Sequence, residues 1–160
     1  MATLTAARAA ANFPVGGFAG AGVLNVAYGS YTLAANPTIA DVIKFCKIPA
    51  GATVIGGWLR GEDIDTGTET LDIDIGWPAN GGTGVGATAD PDGFGNFGVI
   101  TGDAVTELKP EASIFLPLNG TLKAGPVSFD AETTIQGVVN AAAAAGGTGV
   151  LWLTVLYVFN

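Results

Sequence analysis

Thr70-Leu71-Asp72-Ile73-Asp74-Ile75-Gly76-Trp77 is the stretch that decides the fold. Leu71, Ile73, Ile75 and Trp77 fall on one parity, and Asp72, Asp74 and Gly76 on the other. A period of two is the signature of a β-strand, here with an apolar face for a core and an acidic face for water. Upstream, Thr53-Val54-Ile55-Gly56-Gly57-Trp58-Leu59-Arg60 reads as a second strand, joined to the first by the acidic loop from Gly61 to Thr68. Further upstream, Val42 to Ile48 reads as a third strand, and Lys47-Ile48-Pro49-Ala50-Gly51-Ala52 turns it into the pair with Pro-x-Gly turn chemistry.

The same texture runs through the rest of the chain. Twenty-five glycines and eight prolines cut 160 residues into short segments rich in Val, Ile, Thr and aromatics. Further strands are expected around Gly22–Leu33, Ser113–Leu118, Pro126–Phe129 and Thr134–Asn140. No long stretch repeats apolar residues at helical spacing without a Gly or Pro inside it. The expected fold is all-β, a β-sandwich of jelly-roll type. Residues 21–160 form that single domain, and residues 1–20, Ala-rich and then Gly/Phe-rich, form an extended N-terminal arm with a short helical turn at Thr5–Ala11. Asn80 to Asn96 reads as a long Gly/Asp-rich loop, and the two copies of Gly-Gly-Thr-Gly-Val, at 81–85 and 146–150, as turns or loop segments.

Val150 to Phe159 is apolar on both parities, with Leu151, Leu153, Val155, Tyr157 and Phe159 on one and Val150, Trp152, Leu156 and Val158 on the other. A strand of this kind is central and covered on both faces, or is buried between copies. Leu151, Trp152, Leu153, Val155, Tyr157 and Phe159 are therefore candidates for the core or for an oligomer seam.

Composition narrows the function. Apolar residues make up 49% of the chain and charged residues 12%, well below the usual share of about a quarter. So few charges leave much surface to be covered by other copies or by a partner. The net charge of −8 repels phosphate backbones and anionic lipid, so neither nucleic acid nor membrane is an expected partner. The six cations are scattered, and Lys44 and Lys47 alone make no basic patch. Ala6 to Ala11 is too short, and is interrupted by Arg8, to serve as a signal-peptide core.

The chemistry of catalysis is missing. The chain has no histidine, which removes the usual triads and the commonest general base. One cysteine, Cys46, allows no internal disulfide and makes a zinc site improbable; in its strand it reads as a buried, inert thiol. Gly93-Phe94-Gly95-Asn96-Phe97-Gly98 fits a dinucleotide fingerprint only formally, because it follows Asp90-Pro91-Asp92 rather than a strand. It reads better as a turn whose Phe94 and Phe97 pack on the body. Asp63-x-Asp65-x-Gly67 with Glu69 departs from the EF-hand pattern at Thr68 and Asp74. Calcium of another coordination in this loop stands as the alternative to a solvated acidic loop. Asp72 and Asp74, about 7 Å apart on one strand face, read as a solubilising pair rather than an acid/base couple. No enzyme activity, catalytic residue, cofactor or metal is expected.

Ile48-Pro49-Ala50-Gly51-Ala52-Thr53-Val54-Ile55-Gly56-Gly57-Trp58-Leu59, followed by Asp63 to Gly76, resembles small virion proteins of tailed bacteriophages. In those, a "lipaGa.v.g" phrase, an acidic turn and "tldiGi" recur as a strand–turn–strand, a hairpin of a β-sandwich. The resemblance covers about residues 40–77 and is to head decoration, or cement, proteins. It implies a compact β domain assembling as homotrimers on the outer surface of an icosahedral head, made in the host cytoplasm. It also implies a role tying neighbouring major capsid protein subunits together. On physical grounds the N-terminal arm, through Leu4, Arg8, Phe13 and Phe18, is the candidate capsid contact, and the acidic loop at Glu62–Asp65 faces solvent or a basic capsid patch. The alternative is a ligand-binding β-sandwich, a carbohydrate-binding or receptor-binding tail component, with Trp58, Trp77 and Trp152 as a stacking platform. The plainer reading of these tryptophans is core packing.

Overall fold

The structure, a computed structural model, describes residues 1–10, 22–62, 64, 65, 68, 70–97 and 113–159. Among them, ten strands follow in chain order: β1 (Thr3–Thr5), β2 (Asn25–Leu33), β3 (Val42–Ile48), β4 (Ala52–Glu62), β5 (Asp72–Trp77), β6 (Asp90–Gly95), β7 (Ser113–Pro117), β8 (Val127–Phe129), β9 (Thr133–Ala141) and β10 (Gly149–Phe159). They form two sheets. The first has the order β1-β3-β9-β5-β6, and the second β2-β10-β4-β7 with β8 also paired to β4. This is the all-β sandwich the sequence predicts. No helix among the described residues is long and apolar enough to cross a membrane.

The alternation that marks each strand builds the core. Ile43, Phe45 and Ile48 of β3, Ile73, Ile75 and Trp77 of β5 and Ile135 and Val139 of β9 come from the first sheet. They meet Leu59 of β4 and Leu151, Leu153, Val155 and Tyr157 of β10. Each large aliphatic side chain removed from water contributes about 1.5–3 kcal/mol. At one end Trp77 packs against Phe94 (centroids 4.7 Å apart) and edge-on to Phe129 (5.2 Å), while its indole N–H donates to the Thr88 carbonyl at 2.9 Å. A register shift between Lys44 and Cys46 bulges β3 against β9, so consecutive residues Phe45 and Cys46 are both buried. Cys46 is the inert thiol the sequence suggests, and burial pushes it up to about 12. The sheets approach closely where β2 passes β3. A Cβ at Gly29 would lie 2.0 Å from the Phe45 carbonyl oxygen, so only glycine fits there.

Three expectations are corrected. First, β4 and β5 do not form a hairpin; they belong to opposite sheets. The segment between them is a corner crossing the sandwich, with Ile64 and Leu71 buried at its two ends. Second, 80–96 is not one long loop, since it contains β6, which pairs with β5. Phe94 is accordingly a core residue on an edge strand. Third, the acidic face of β5 is not open to water. Asp74 is only 7% exposed, and Gly76 is covered by the backbone of Asp90 and Pro91.

The outer edge of β4 is shared. β8 pairs with its first residues, Ala52 to Val54, and β7 with its last, Trp58 to Glu62. β7 and β8 thus lie along one line, interrupted by an excursion from Leu118 to Pro126 that carries a 3-10 turn (Gly120–Lys123) onto β6. On the first sheet, β1 adds in parallel to β3, and a 3-10 turn at Ala7–Ala9 follows, inside the span where the sequence expects a helical turn. The buried Asp41 carboxylate pins this start of the chain, accepting from Ala2 N at 2.8 Å and Thr38 N at 3.0 Å.

Candidate functional site

The two outer surfaces of the sandwich differ in chemistry. On the second sheet, register places Trp152 of β10 between Ser30 of β2 and Arg60 of β4, Thr154 between Tyr28 and Trp58, and Leu156 between Val26 and Gly56. Phe115 of β7 lies opposite Arg60. Val26, Tyr28, Ile55 and Trp152 are exposed large apolar side chains, and Trp58, Leu156 and Val158 are half-buried. Trp58 stacks on Phe115 with centroids 6.3 Å apart, and the Arg60 guanidinium lies 5.9 Å from the Trp152 ring. Arg8, just inside the N-terminal segment, lies 3.8 Å over the Tyr28 ring at the β2 edge. Glu62, at the far end of β4, accepts from Val150 N at 2.8 Å. The result is a broad aromatic and aliphatic surface with an arginine near a ring at two places on it.

The outer surface of the first sheet is more polar, although Val42 and Val138 also lie on it. Lys44 and Lys47 of β3, Gln136 and Asn140 of β9 and Asp72 and Asp74 of β5 line it, with Lys47 in an ion pair to Glu132 at 3.1 Å. Asp74 accepts from the Asn140 amide at 2.5 Å, but the Oδ1 atoms of Asp72 and Asp74 have no hydrogen-bond partner among the described residues. Burial, then the charges of Asp72 and Asp92, holds the Asp74 carboxyl above the usual range. Among the described residues, no three carboxylates or thiols come together as metal ligands.

A carboxyl whose folded pKa is raised opposes folding at neutral pH and ceases to as pH falls through that pKa. Asp74→Asn is therefore expected to raise the melting temperature at neutral pH by ~2–4 °C, or about 1 kcal/mol. Its advantage over the parent should shrink in mild acid, which thermal melts at several pH values check.

The candidate residues divide. Leu151, Leu153, Val155, Tyr157 and Phe159 point inward and belong to the core, so of the β10 candidates only Trp152 presents its side chain outward. Leu4 packs against the core and helps line a groove of about 260 Å³ with Tyr31, Leu33, Asn36, Pro37 and Asp41. Arg8 reaches the aromatic face. Phe13 and Phe18 lie outside the described residues. The acidic loop does not simply face solvent. Asp65 is 3% exposed and accepts from the backbone N–H groups of Thr70 (2.6 Å), Leu71 (3.0 Å) and Ala145 (3.4 Å). Its carboxylate is committed to the corner, which leaves little of it for calcium; Asp63, Gly67 and Glu69 lie outside the described residues.

The sequence did not mark Val26, Tyr28 and Phe115 as surface residues, and it offered Trp58 as one only in the stacking-platform alternative. One signal was available for Trp58: it shares parity with Arg60, and an arginine on a half-buried strand faces outward. Of the three tryptophans assigned to packing, only Trp77 is in the core.

No protein family matches the sequence, and no curated protein does. Among solved structures, the chain is similar in fold to a chain in the capsid of Ralstonia phage GP4, with a TM-score of 0.75 and 19% identity over 99% of both chains. It is also similar to a chain of the cyanophage Pam1 capsid asymmetric unit, with a TM-score of 0.60 and 24% identity over 94% of both. A third likeness is to a chain in the acidic stable capsid structure of Helicobacter pylori bacteriophage KHP30, with a TM-score of 0.57 and 15% identity over 87% of this chain and 90% of that one. At such identities the likeness is one of fold. It runs nearly end to end in each case, so the matched chains are of comparable length and are not domains of much larger ones.

Proposed function

We propose that this chain is a virion structural protein, a decoration or cement protein that binds the outside of an icosahedral phage head and ties major capsid protein subunits together. The observation that carries the reading is the outer surface of the β2-β10-β4-β7 sheet. It joins Trp152, Trp58, Tyr28, Phe115 and Arg60, the residue types that dominate protein–protein contacts, on one face of a chain of low charge. Lys44, Lys47 and Asn140 on the outer face of the other sheet suit the solvent side. The end-to-end likeness to chains of phage capsids supports the same role. Arg8, with Phe13 and Phe18 of the arm formed by residues 1–20, extends the contact, since Arg8 already sits at the border of the aromatic face; Leu4, on β1 of the other sheet, packs against the core instead. In this reading the protein works as a homotrimer, so weak single contacts add up on a repeating lattice.

Purified protein mixed with heads lacking a decoration protein should co-sediment with them and raise the temperature at which they rupture. Light scattering should give about 48 kDa, three chains of 15.9 kDa. Failure to bind any such head, with the protein folded, would sink the cement role. A second reading has one observation in its favour: Trp152, Tyr28 and Trp58 share a face and form a platform on which a sugar ring could stack. Quenching of tryptophan fluorescence by added oligosaccharide, with no binding to heads, would select it.

A further inference from the structure

We propose that Asn119-Gly120 is a self-modification site, at which the folded protein closes Asn119 into a succinimide and converts it to aspartyl or isoaspartyl. The pair lies at the start of the excursion between β7 and β8. Asn119 has ψ −118°. In an L-residue the Cβ sits about 120° from the backbone nitrogen around the Cα–C bond, a consequence of tetrahedral geometry. A ψ near −120° therefore eclipses the Asn119 Cβ with the nitrogen of Gly120. That eclipsed arrangement is the one a flat five-membered imide ring requires. The side chain is folded the same way, for Gly120 N lies 2.5 Å from Asn119 Oδ1. With a C=O bond of about 1.23 Å, the carboxamide carbon is then no more than ~3.7 Å from that nitrogen, close to a near-attack distance.

The surroundings hold this geometry. Asn119 N donates to the Phe94 carbonyl at 2.8 Å, and Leu122 N donates to the Asn119 carbonyl at 3.1 Å, so the turn is clamped on both sides of the reacting bond. Gly120 has φ +58°, and a Cβ there would fall 2.5 Å from the Gly93 carbonyl oxygen. Only glycine fits, and its bare nitrogen is the least hindered nucleophile a chain can offer. Asn119 is half-buried, which leaves water able to reach the product.

The chemistry needs only water and hydroxide. Hydroxide removes the Gly120 amide proton, and the nitrogen lone pair forms a bond to Asn119 Cγ. The Cγ–Nδ2 bond breaks, and ammonia leaves with a proton drawn from water. Water then opens the imide at either carbonyl, giving aspartate or isoaspartate. The new carboxylate arises beside β6, where Asp90 already takes a hydrogen bond from Thr121 at 3.4 Å and interacts unfavourably with Asp92. Isoaspartate also adds a methylene to the backbone where the 3-10 turn meets β6. The protein surface would therefore change with age at this one place.

Asn80-Gly81 supplies an internal control, being the other Asn-Gly pair in the chain. Its side chain is tied away from the following nitrogen, accepting from Gly82 N and donating to the Gly86 carbonyl, both at 3.0 Å. The test holds native protein at mildly alkaline pH and follows the peptides containing each asparagine by mass spectrometry, with a parallel sample in urea. Asn119 should lose ammonia and then gain water at least ~10-fold faster than Asn80 in the native protein. It should also react faster in the native protein than in urea. A native Asn119 no faster than Asn80, or faster in urea than when folded, overturns the proposal, since folding would then not promote closure.

Discussion

Trp152→Glu is expected to weaken binding to phage heads by at least ~100-fold while leaving the melting temperature within ~2 °C of the parent. Trp152 is 39% exposed and stands on the middle strand of its sheet, between Ser30 and Arg60. Its ring is outside the core, so its removal opens no cavity. A tryptophan at the centre of a contact is commonly worth ~2–4 kcal/mol, and a glutamate in its place would also bury a charge against the partner. Several linked copies would lose that amount together, which steepens the effect. Binding isotherms and co-sedimentation measure the loss. Lys47→Glu, on the polar sheet, serves as the contrast and should bind as the parent does. Normal binding by Trp152→Glu with impaired binding by Lys47→Glu would place the shell against the other sheet and reverse the proposed orientation.

Asp65→Ala should destabilise the fold by about 4 kcal/mol, enough to leave much of the protein unfolded at physiological temperature. Asp65 is buried where the chain passes from β4 in one sheet to β5 in the other, and it pairs as an isolated bridge with Gly146. Its two oxygens accept from Thr70, Leu71 and Ala145, which closes the corner onto the β9–β10 loop. Alanine would leave the buried N–H of Leu71 without a partner, a cost of about 1–3 kcal/mol, and would strip the part-buried N–H groups of Thr70 and Ala145 of theirs at a smaller cost each. Asp65→Asn keeps one acceptor oxygen and should lose roughly half as much. Burial alone would raise this carboxyl, but the backbone hydrogen bonds outweigh it and hold the pKa below its ordinary value. A depressed folded pKa means stability that is present above the unfolded carboxylate pKa and lost as pH falls through the folded one. The parent should thus shed this stabilisation only in strong acid, while Asp65→Ala shows no such step. Denaturant titrations across that range decide it, and an acid step of unchanged size in Asp65→Ala would remove Asp65 as its source.

Much of the sandwich is written in local pattern. The parity of Leu71, Ile73, Ile75 and Trp77 specifies a strand and its inner face without reference to the rest of the chain. The same holds for Leu151, Leu153, Val155, Tyr157 and Phe159, all of which point inward. The absence of histidine and the low charge, both readable from composition, argued for binding over catalysis before any contact was known. Parity, however, describes a strand and not its neighbours. It did not reveal that β4 and β5 lie in different sheets, because an acidic loop of that length can close a hairpin or turn a corner. The choice was made by long-range partners: Gly146 beside Asp65, β10 and β7 beside β4, and β9 beside β5.

The candidate face was hidden for the same reason. Val26, Tyr28, Trp58, Phe115 and Trp152 come from four strands separated by up to 126 positions, and none is distinctive alone. Only the register of β10 between β2 and β4 brings them together. The sequence by itself determined where most strands form, though not β1 or β6, which parity is buried and which chemistries are missing, since those depend on near neighbours and composition. Tertiary structure decided which strands share a sheet and which apolar side chains remain uncovered on its outer face. It also set the backbone angle at Asn119. These depend on hydrogen bonds and packing between segments far apart in the chain, which no local pattern encodes.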